Sequence, residues 1–203
     1  CPETFPTQRR MAKEAAAGRI EPFHASTHAI PTFAHAVFMA SLKASASALD
    51  TAAAELISIC FTCNSCPYSV DYEDRLIALA RQHAKTSGGV VVVAMNANRK
   101  PSETLEKMTE RARQKNFPFL YLIDETQQVA DSYGAVYTPE FFVLNKDRRV
   151  VYMGAMDDRT DATQVTARHV EDAISAALAG KIPTVTSVPA RGCAIPFRQR
   201  QRR

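Results

Sequence analysis

Apolar runs of strand length alternate with amphipathic segments through the middle of the chain. Residues 53–61 and 90–95 are continuous apolar runs, which are typical of strands buried on both faces of a sheet. Residues 68–84 lie between them and have the periodicity of an amphipathic helix. The apolar side chains predicted to share the buried face of that helix are Val70, Leu76, Ile77, Leu79 and Ala80.

The pattern downstream predicts further elements with clear end signals. These are a helix over 103–116, a strand over 117–123, a helix over 125–133, a hairpin of strands 141–144 and 150–153, and a last helix over 161–179. Ser102 with Thr104, and then Asp124, are the predicted N-caps, and Gly134 and Gly180 close the helices that precede them. Strands that alternate with helices and end in a hairpin indicate an α/β fold.

The chain divides into three parts by this pattern. Residues 1–52 give no clear elements and are predicted to be a poorly defined N-terminal extension. Residues 53–180 hold the α/β domain. Residues 181–203 contain several prolines and a basic end, and they are predicted to form an extended C-terminal tail.

Composition and charge narrow the class of protein. Hydrophobic residues make up 46% of the 203, enough for a packed core. The net charge of +4 comes from four arginines among the last six residues, so the domain itself is near neutral and gives no reason to expect nucleic acid. This basic end is expected to be a frayed, solvated terminus.

Nothing in the sequence predicts a membrane span or a secretory signal. A cytoplasmic location is therefore expected. Because the chain begins with Cys1 rather than methionine, a periplasmic or lipid-anchored location stays open, as does a true start at Met11.

Cys63 and Cys66 lie three residues apart and are followed directly by Pro67. The predicted strand and helix on either side place Cys63 in a turn and Cys66 at the first helical turn. Unpaired N–H groups and the helix dipole favour a thiolate there, and a lowered pKa makes a thiol nucleophilic at neutral pH. The spacing therefore predicts a redox dithiol, with Cys63 facing outward and reactive and Cys66 resolving.

Cys60, Cys63 and Cys66 together could also indicate a metal or iron–sulfur site. Such sites need a fourth ligand, and the remaining cysteines, Cys1 and Cys193, are far away in the sequence. The redox interpretation is therefore preferred. Cys60 lies inside the predicted strand and is expected to be passive, and Cys193 is expected to be idle rather than a further redox thiol.

Two segments carry a resemblance to a known family. They are FTCNSCPYSVDYEDRLIALA and FPFLYLIDETQQVADSYGAVYTPEFFVLNKDRRVVYMG. The two segments resemble the redoxin branch of the thioredoxin-like proteins, which is grouped with alkyl hydroperoxide reductase and thiol-specific antioxidant domains. The resemblance covers residues 53–180. It implies a thioredoxin fold, with a central mixed sheet flanked by helices and an extra helix–strand insertion.

The resemblance also implies a layout for the site. Thr138-Pro139 occupies the position of the family's cis-proline, which lies against the dithiol. It would leave the Thr138 backbone free to pair with an extended substrate, with Thr62 and Tyr68 at the rim. Cys63 would attack a disulfide and Cys66 would resolve the mixed disulfide. Glu55 and Glu73 are weak candidates for the base that activates Cys66.

These residues are compatible with three activities. Thiol–disulfide exchange is preferred, with protein or small-molecule disulfides and a thiol reductant or oxidant protein as partners and with no cofactor. Peroxide reduction by Cys63 is the alternative, although no proline precedes the strand, as it would in a peroxidatic motif. A non-enzymatic module that binds or delivers a metal through the cysteines is the third.

Overall fold

The computed structural model describes residues 54–84 and 89–198. The predicted N-terminal extension over residues 1–52 lies outside the described residues.

The described residues form alternating strands and helices. The strands are β1 Leu56–Phe61, β2 Val90–Asn96, β3 Leu120–Ile123, β4 Tyr137–Thr138, β5 Glu140–Leu144, β6 Val150–Gly154, β7 Ser187–Val188 and β8 Cys193–Ala194. The helices are α1 Pro67–Ala84, α2 Leu105–Lys115, α3 Gln128–Tyr133 and α4 His169–Leu178. Short 3-10 turns cover Pro101–Glu103 and Ala162–Gln164.

A six-stranded mixed sheet in the order β3-β2-β1-β5-β6-β7 forms the centre of the domain. β1 pairs in parallel with β2 and antiparallel with β5, so that Cys60 lies between Ala94 and Phe141. β5 and β6 form the predicted antiparallel hairpin. The arrangement confirms the α/β fold with a mixed sheet that the sequence predicted.

Apolar side chains cover both faces of the sheet, which is why β1 and β2 read as continuous apolar runs. On one face, Leu76 and Leu79 of α1 and Ile174 of α4 pack in a core cluster with strand residues. On the other, Ala130 of α3 packs in a cluster with Ile195, which follows β8. β1 is therefore held from both sides, and its carboxyl end is a rigid support for the residues that follow it.

Helix α1 has the predicted position, with one error in its buried face. Leu76, Ile77, Leu79 and Ala80 are buried as predicted, but Val70 is 38% exposed. The residues that fill the first buried turns are Ser69, Tyr72 and Glu73. Ser69 and Glu73 are polar, so the apolar pattern of the sequence did not show that they lie on the buried face of the helix.

The last helix begins at His169, not near residue 161 as predicted. The Asp158 carboxylate accepts hydrogen bonds from the Thr166 backbone and hydroxyl and from the Ala167 N–H. These contacts fold the segment before His169 into a turn, so it does not take part in the helix.

Residues 181–198, predicted to form an extended tail, pair with the domain at two places. Ser187–Val188 pairs in parallel with β6 at the edge of the main sheet, and Cys193–Ala194 pairs antiparallel with β4. Ile195 is buried and donates its N–H to the Val136 carbonyl at 2.9 Å. Apolar and backbone contacts therefore fix this segment. Residues 199–203, which include three arginines, lie outside the described part of the chain.

Candidate active site

The dithiol lies at the junction of β1 and α1, as the sequence predicted. The Thr62 N–H bonds to the Met95 carbonyl at 2.9 Å, so the chain follows the sheet up to the residue before Cys63. Pro67 is the first residue of α1, where its missing N–H costs nothing. The Cys66 carbonyl accepts the first helical bond, from Val70 at 3.0 Å. Cys66 is therefore the N-terminal cap residue of the helix.

A buried carboxylate holds the turn between the two cysteines. Glu103 is only 2% exposed, and its oxygens accept the backbone N–H groups of Asn64 at 2.8 Å and Ser65 at 2.9 Å. The Asn96 side chain donates a third bond at 2.7 Å. Burial raises the pKa of Glu103, but the hydrogen bonds from Ser65, Asn64 and Asn96 outweigh it and lower the pKa. Glu103 therefore carries a negative charge beneath the turn.

Asn64 is fixed through its side chain as well. Its amide nitrogen donates to the Ser102 carbonyl at 3.1 Å, and its amide oxygen accepts the Tyr121 hydroxyl at 3.0 Å. Tyr121 in turn accepts a bond from Asn96 at 3.3 Å. These contacts leave the turn little freedom, so the position of Cys63 is set by residues from three other segments.

Sequence reasoning missed this support. Glu103 was predicted to be a helix residue, but α2 begins at Leu105, and Thr104 caps it by accepting the Lys107 N–H. The local pattern around residue 103 gives no sign that the carboxylate reaches a turn 38 and 39 residues earlier.

Thr138 and Pro139 lie against the dithiol, and the peptide bond between them is cis, as expected. The Thr138 hydroxyl lies 3.5 Å from the Cys63 sulfur. The Cys66 thiol donates to the Thr138 carbonyl oxygen at 3.0 Å. One residue therefore contacts both cysteines.

The expectation that the Thr138 backbone is free for a substrate is wrong. Thr138 pairs with Cys193 in the β4–β8 ladder, and its hydroxyl donates to the Cys193 carbonyl at 3.4 Å. The segment that was predicted to be a tail occupies this edge.

The solvent exposure of the site residues also differs from the prediction. Cys63 is 4% and Cys66 1% exposed, so Cys63 does not face outward. Thr62 and Pro139 are buried as well, whereas Tyr68, at 40% exposure, lies at the rim. A narrow crevice beside Cys63 is lined by Pro139 and by aromatic side chains, those of Phe117, Phe119 and Tyr121.

The two thiols titrate as a pair, because a hydrogen bond joins their side chains. This bond has the largest effect on the pKa of each thiol. It lowers the pKa of the thiol that loses its proton first and raises the pKa of the other. The pair therefore loses its first proton readily.

The groups that contact the two sulfurs determine whether Cys63 or Cys66 keeps the remaining proton. The Cys66 sulfur lies 3.0 Å from the Thr138 carbonyl oxygen, which can only accept a hydrogen bond. A thiolate on Cys66 would face that oxygen, whereas a thiol donates to it. A thiolate on Cys63 can accept the Cys66 N–H and the Thr138 hydroxyl, both of which favour the charged form. A thiolate on Cys66 could accept hydrogen bonds from Ser69 and Cys193, but it would also face the Thr138 carbonyl oxygen. We therefore place the proton on Cys66 and the charge on Cys63.

The other candidate groups fall outside this chemistry. Cys60 is 1% exposed in the core, and burial, followed by the charge of Glu140, raises the pKa of its thiol. Glu73 binds Arg111 through both oxygens, at 2.8 and 2.7 Å, and Glu55 is exposed before the start of β1, at the end of the strand away from Cys63. Neither carboxylate is placed to activate Cys66.

The metal and membrane interpretations concern the arrangement of side chains and helices in the described residues. Residues 54–84 and 89–198 contain no group of three histidine, cysteine or acidic side chains placed to share a metal ion. In the same ranges, none of the helices combines the length and apolar character that crossing a membrane requires. The cytoplasmic location stays a prediction.

The chain is similar to one known family and to several solved structures. The model of the Redoxin family matches residues 26–174, so the match begins inside the segment predicted to be an extension. A hypothetical protein from Sinorhizobium meliloti 1021 is 36% identical, with 72% of this chain and 81% of that one covered and a TM-score of 0.67. An uncharacterized conserved protein from Geobacillus kaustophilus is 32% identical, with 71% and 78% covered and a TM-score of 0.65.

A more distant structure bears on the fold alone. A thioredoxin-like protein in its oxidized form is 16% identical, with 63% of this chain and 80% of that one covered and a TM-score of 0.52. The chain has the thioredoxin fold, as the resemblance implied. A comparison with proteins of curated function found no match.

Proposed function

The chain belongs to the Redoxin family of thioredoxin-like proteins, and from that premise we propose that it is a thiol–disulfide oxidoreductase whose redox centre is the Cys63–Cys66 dithiol. Family membership supports a redox role. One observation carries the finer proposal. Both thiols lie at the N-terminus of α1, and both contact Thr138, the residue before the cis-proline.

The proposed reaction moves two electrons from the dithiol to a client disulfide. The Cys63 thiolate attacks one client sulfur, the client S–S bond breaks, and the departing client thiolate takes a proton. Cys66 then loses its proton and attacks the Cys63 sulfur. The mixed disulfide breaks, the second client thiol leaves, and the Cys63–Cys66 disulfide remains.

The surrounding residues support the first step. The Thr138 hydroxyl can donate to a charged Cys63 sulfur in place of the Cys193 carbonyl. Glu103 holds the turn that presents Cys63, although its charge raises the pKa of that thiol. Tyr68 at the rim is the proposed contact for a client surface, whose disulfide belongs to a protein or a small molecule.

Reduction of insulin disulfides by dithiothreitol tests the proposal. We expect the wild-type protein to accelerate the reaction and Cys63→Ser to abolish the acceleration. Cys66→Ser should retain a client as a mixed disulfide, visible on a non-reducing gel. Cys1→Ser is the matched control and should behave as wild type. Unchanged turnover by Cys63→Ser would refute the proposed function.

Peroxide reduction is the second candidate, and one observation favours it. Cys63 is 4% exposed beside a narrow crevice, which admits a small oxidant more easily than a protein disulfide. The Cys63 thiolate would attack a peroxide oxygen, forming a sulfenic acid and releasing water or an alcohol. Cys66 would then condense with it, releasing water and forming the disulfide. Stopped-flow consumption of hydrogen peroxide no faster than by free cysteine would exclude this activity.

A further inference from the structure

The segment 192–198 returns to the redox site and is held there at both ends. Cys193 pairs with Thr138, and the next residues continue the ladder with Tyr137 and Val136. At the far end, the Gln127 side chain donates to the Pro196 carbonyl at 3.1 Å and accepts the Arg198 N–H at 3.1 Å. The position of Cys193 is therefore fixed by contacts on either side of it.

Gly192 allows this segment to approach so closely. A Cβ atom at this position would lie 2.1 Å from the Thr138 carbonyl oxygen and 2.7 Å from the carbonyl carbon. No side chain fits there. The absence of one brings Cys193 to the same carbonyl group that accepts the Cys66 thiol.

Cys66 is the middle one of three adjoining thiols. Its sulfur is within hydrogen-bonding reach of the side chains of both Cys63 and Cys193, and of the Cys193 backbone N–H. The outer two differ in access to solvent. Cys63 is buried, whereas Cys193 is partly exposed. A bond between Cys66 and Cys193 would therefore lie nearer the surface than one between Cys63 and Cys66.

We infer that Cys193 is a third redox thiol of this site, which takes over the disulfide from Cys63 by attacking Cys66. This inference rests on the proposed function, because it starts from the oxidised Cys63–Cys66 pair. The Cys193 thiolate attacks the Cys66 sulfur, a Cys66–Cys193 bond forms, and the Cys63–Cys66 bond breaks. Cys63 leaves as a thiolate, and the proton that Cys193 lost balances its charge. The exchange has no net oxidation and needs no further reagent.

The exchange frees the nucleophile while the protein remains oxidised. Cys63 regains its thiolate, and the disulfide becomes accessible at the partly exposed Cys193. An external thiol reductant can then attack Cys193 without entering the buried part of the site. This would reconcile a dithiol that is almost completely buried with the turnover that thiol–disulfide exchange requires.

The electrostatics favour the exchange only after the dithiol is oxidised. In the reduced protein, burial and the hydrogen bond with Cys66 raise the pKa of the Cys193 thiol. In the Cys63–Cys66 disulfide, Cys66 is no longer a thiol that shares a proton with Cys193, so burial is the cause that remains to raise the pKa. The Lys100 charge continues to lower it. Cys193 therefore becomes more acidic when there is a disulfide to attack.

Disulfide mapping of Cys63→Ser tests the inference without any measurement of activity. Trypsin releases Cys193 in peptide 192–198 and Cys66 in peptide 44–75. After equilibration with oxidised glutathione, we expect these two peptides to be joined in most of the protein. The same linked pair should appear as a minor species in oxidised wild type, in exchange with the Cys63–Cys66 form.

Two controls assign the bond. Cys63→Ser/Cys66→Ser keeps Cys60 in peptide 44–75, and a linked pair that persists there would overturn the assignment to Cys66. Cys1 lies in peptide 1–9, so a link between peptides 1–9 and 192–198 that replaced the expected pair would show indiscriminate reactivity of Cys193 and would also overturn the inference. Circular dichroism spectra should match wild type, which confirms that each variant is folded.

Reduction kinetics complete the test and separate the two proposals. We expect glutathione to reduce oxidised wild type several-fold faster than oxidised Cys193→Ser. Equal rates, together with no linked pair in Cys63→Ser, would overturn the inference while a Cys63–Cys66 disulfide in wild type still supported the proposed function. If wild type formed no Cys63–Cys66 disulfide, the proposed function itself would fail.

Discussion

Glu103→Gln removes a buried charge that lies beneath the Cys63–Cys66 turn. The glutamine oxygen can still accept one of the two turn N–H groups, but its NH₂ group would point its hydrogens at the other. A hydrogen bond to a charged group contributes about 1.5–3 kcal/mol, and an unsatisfied buried group costs about 1–3 kcal/mol. We therefore expect a loss of about 3 kcal/mol in the free energy of unfolding, which lowers Tm by roughly 6–12 °C.

The same substitution should change the reactivity of Cys63 in a predictable direction. The Glu103 charge raises the pKa of Cys63, so its removal lowers that pKa. The pH at which Cys63 is half alkylated by iodoacetamide should move to a lower value. Rates measured in a Cys66→Ser background, with the site of alkylation read by peptide mass spectrometry, avoid the shared titration of the pair.

The pH dependence of stability gives a second readout for Glu103. Its pKa is lowered in the folded protein, so its stabilising contribution is complete above the unfolded value of about 4.3 and is lost as the pH falls through the folded value. The stability difference between wild type and Glu103→Gln should therefore be constant at neutral pH and shrink in acid.

Glu73→Gln is the matched control for this charge. Glu73 is also buried and bound to a partner, Arg111, but it makes no hydrogen bond to the turn. It should lower stability without shifting the alkylation midpoint of Cys63. If Glu103→Gln left that midpoint unchanged or raised it, the electrostatic reasoning about the turn would be refuted.

Three further substitutions test separate contacts. Thr138→Val removes the hydroxyl that lowers the pKa of Cys63, so the alkylation midpoint should rise, opposite to Glu103→Gln; no change would show that the 3.5 Å contact is not a hydrogen bond. Gly192→Ala should force the returning segment away from the Thr138 carbonyl, with faster alkylation of Cys63 and a lower Tm; wild-type values for both would contradict the close approach. Tyr72→Phe removes the hydroxyl that bonds to Asp157 at 3.0 Å and should cost about 1 kcal/mol in urea unfolding, and a neutral result would show that the bond contributes nothing.

The parts of the site that the sequence predicted are those set by local pattern. The buried apolar run of β1 and the periodicity of α1 place Cys63 and Cys66 at a strand-to-helix junction without any long-range information. The Thr-Pro pair before β5 came from the family resemblance, and the structure brings it to the dithiol. Two of the errors, Val70 and the start of α4, arose where a polar side chain is held by tertiary or loop contacts. Glu73 binds Arg111, 38 residues away, and Asp158 folds the loop before α4 by binding Thr166.

The parts that the sequence did not predict depend on contacts between distant segments. Glu103 reaches a turn 38 and 39 residues away, and Thr138 meets Cys63 across 75 residues. No periodicity in either segment encodes such a meeting. The packing of the tail was not predicted for the same reason, because its prolines and charges describe its solvent-facing side, whereas Ile195 and the backbone of Cys193 decide where it packs.

These long-range contacts determine how the Cys63 thiolate is stabilised and how the site is covered. The Glu103 carboxylate occupies the N–H groups of the turn, so they cannot stabilise a thiolate, and its charge raises the pKa of Cys63. The helix N-terminus, the Thr138 hydroxyl and the hydrogen bond between the thiols must therefore supply the stabilisation of the charged form. The returning segment then covers the edge at Thr138 and places Cys193 there. A client that pairs with the Thr138 backbone must displace this segment, whereas a small thiol can exchange at Cys193 with the segment in place.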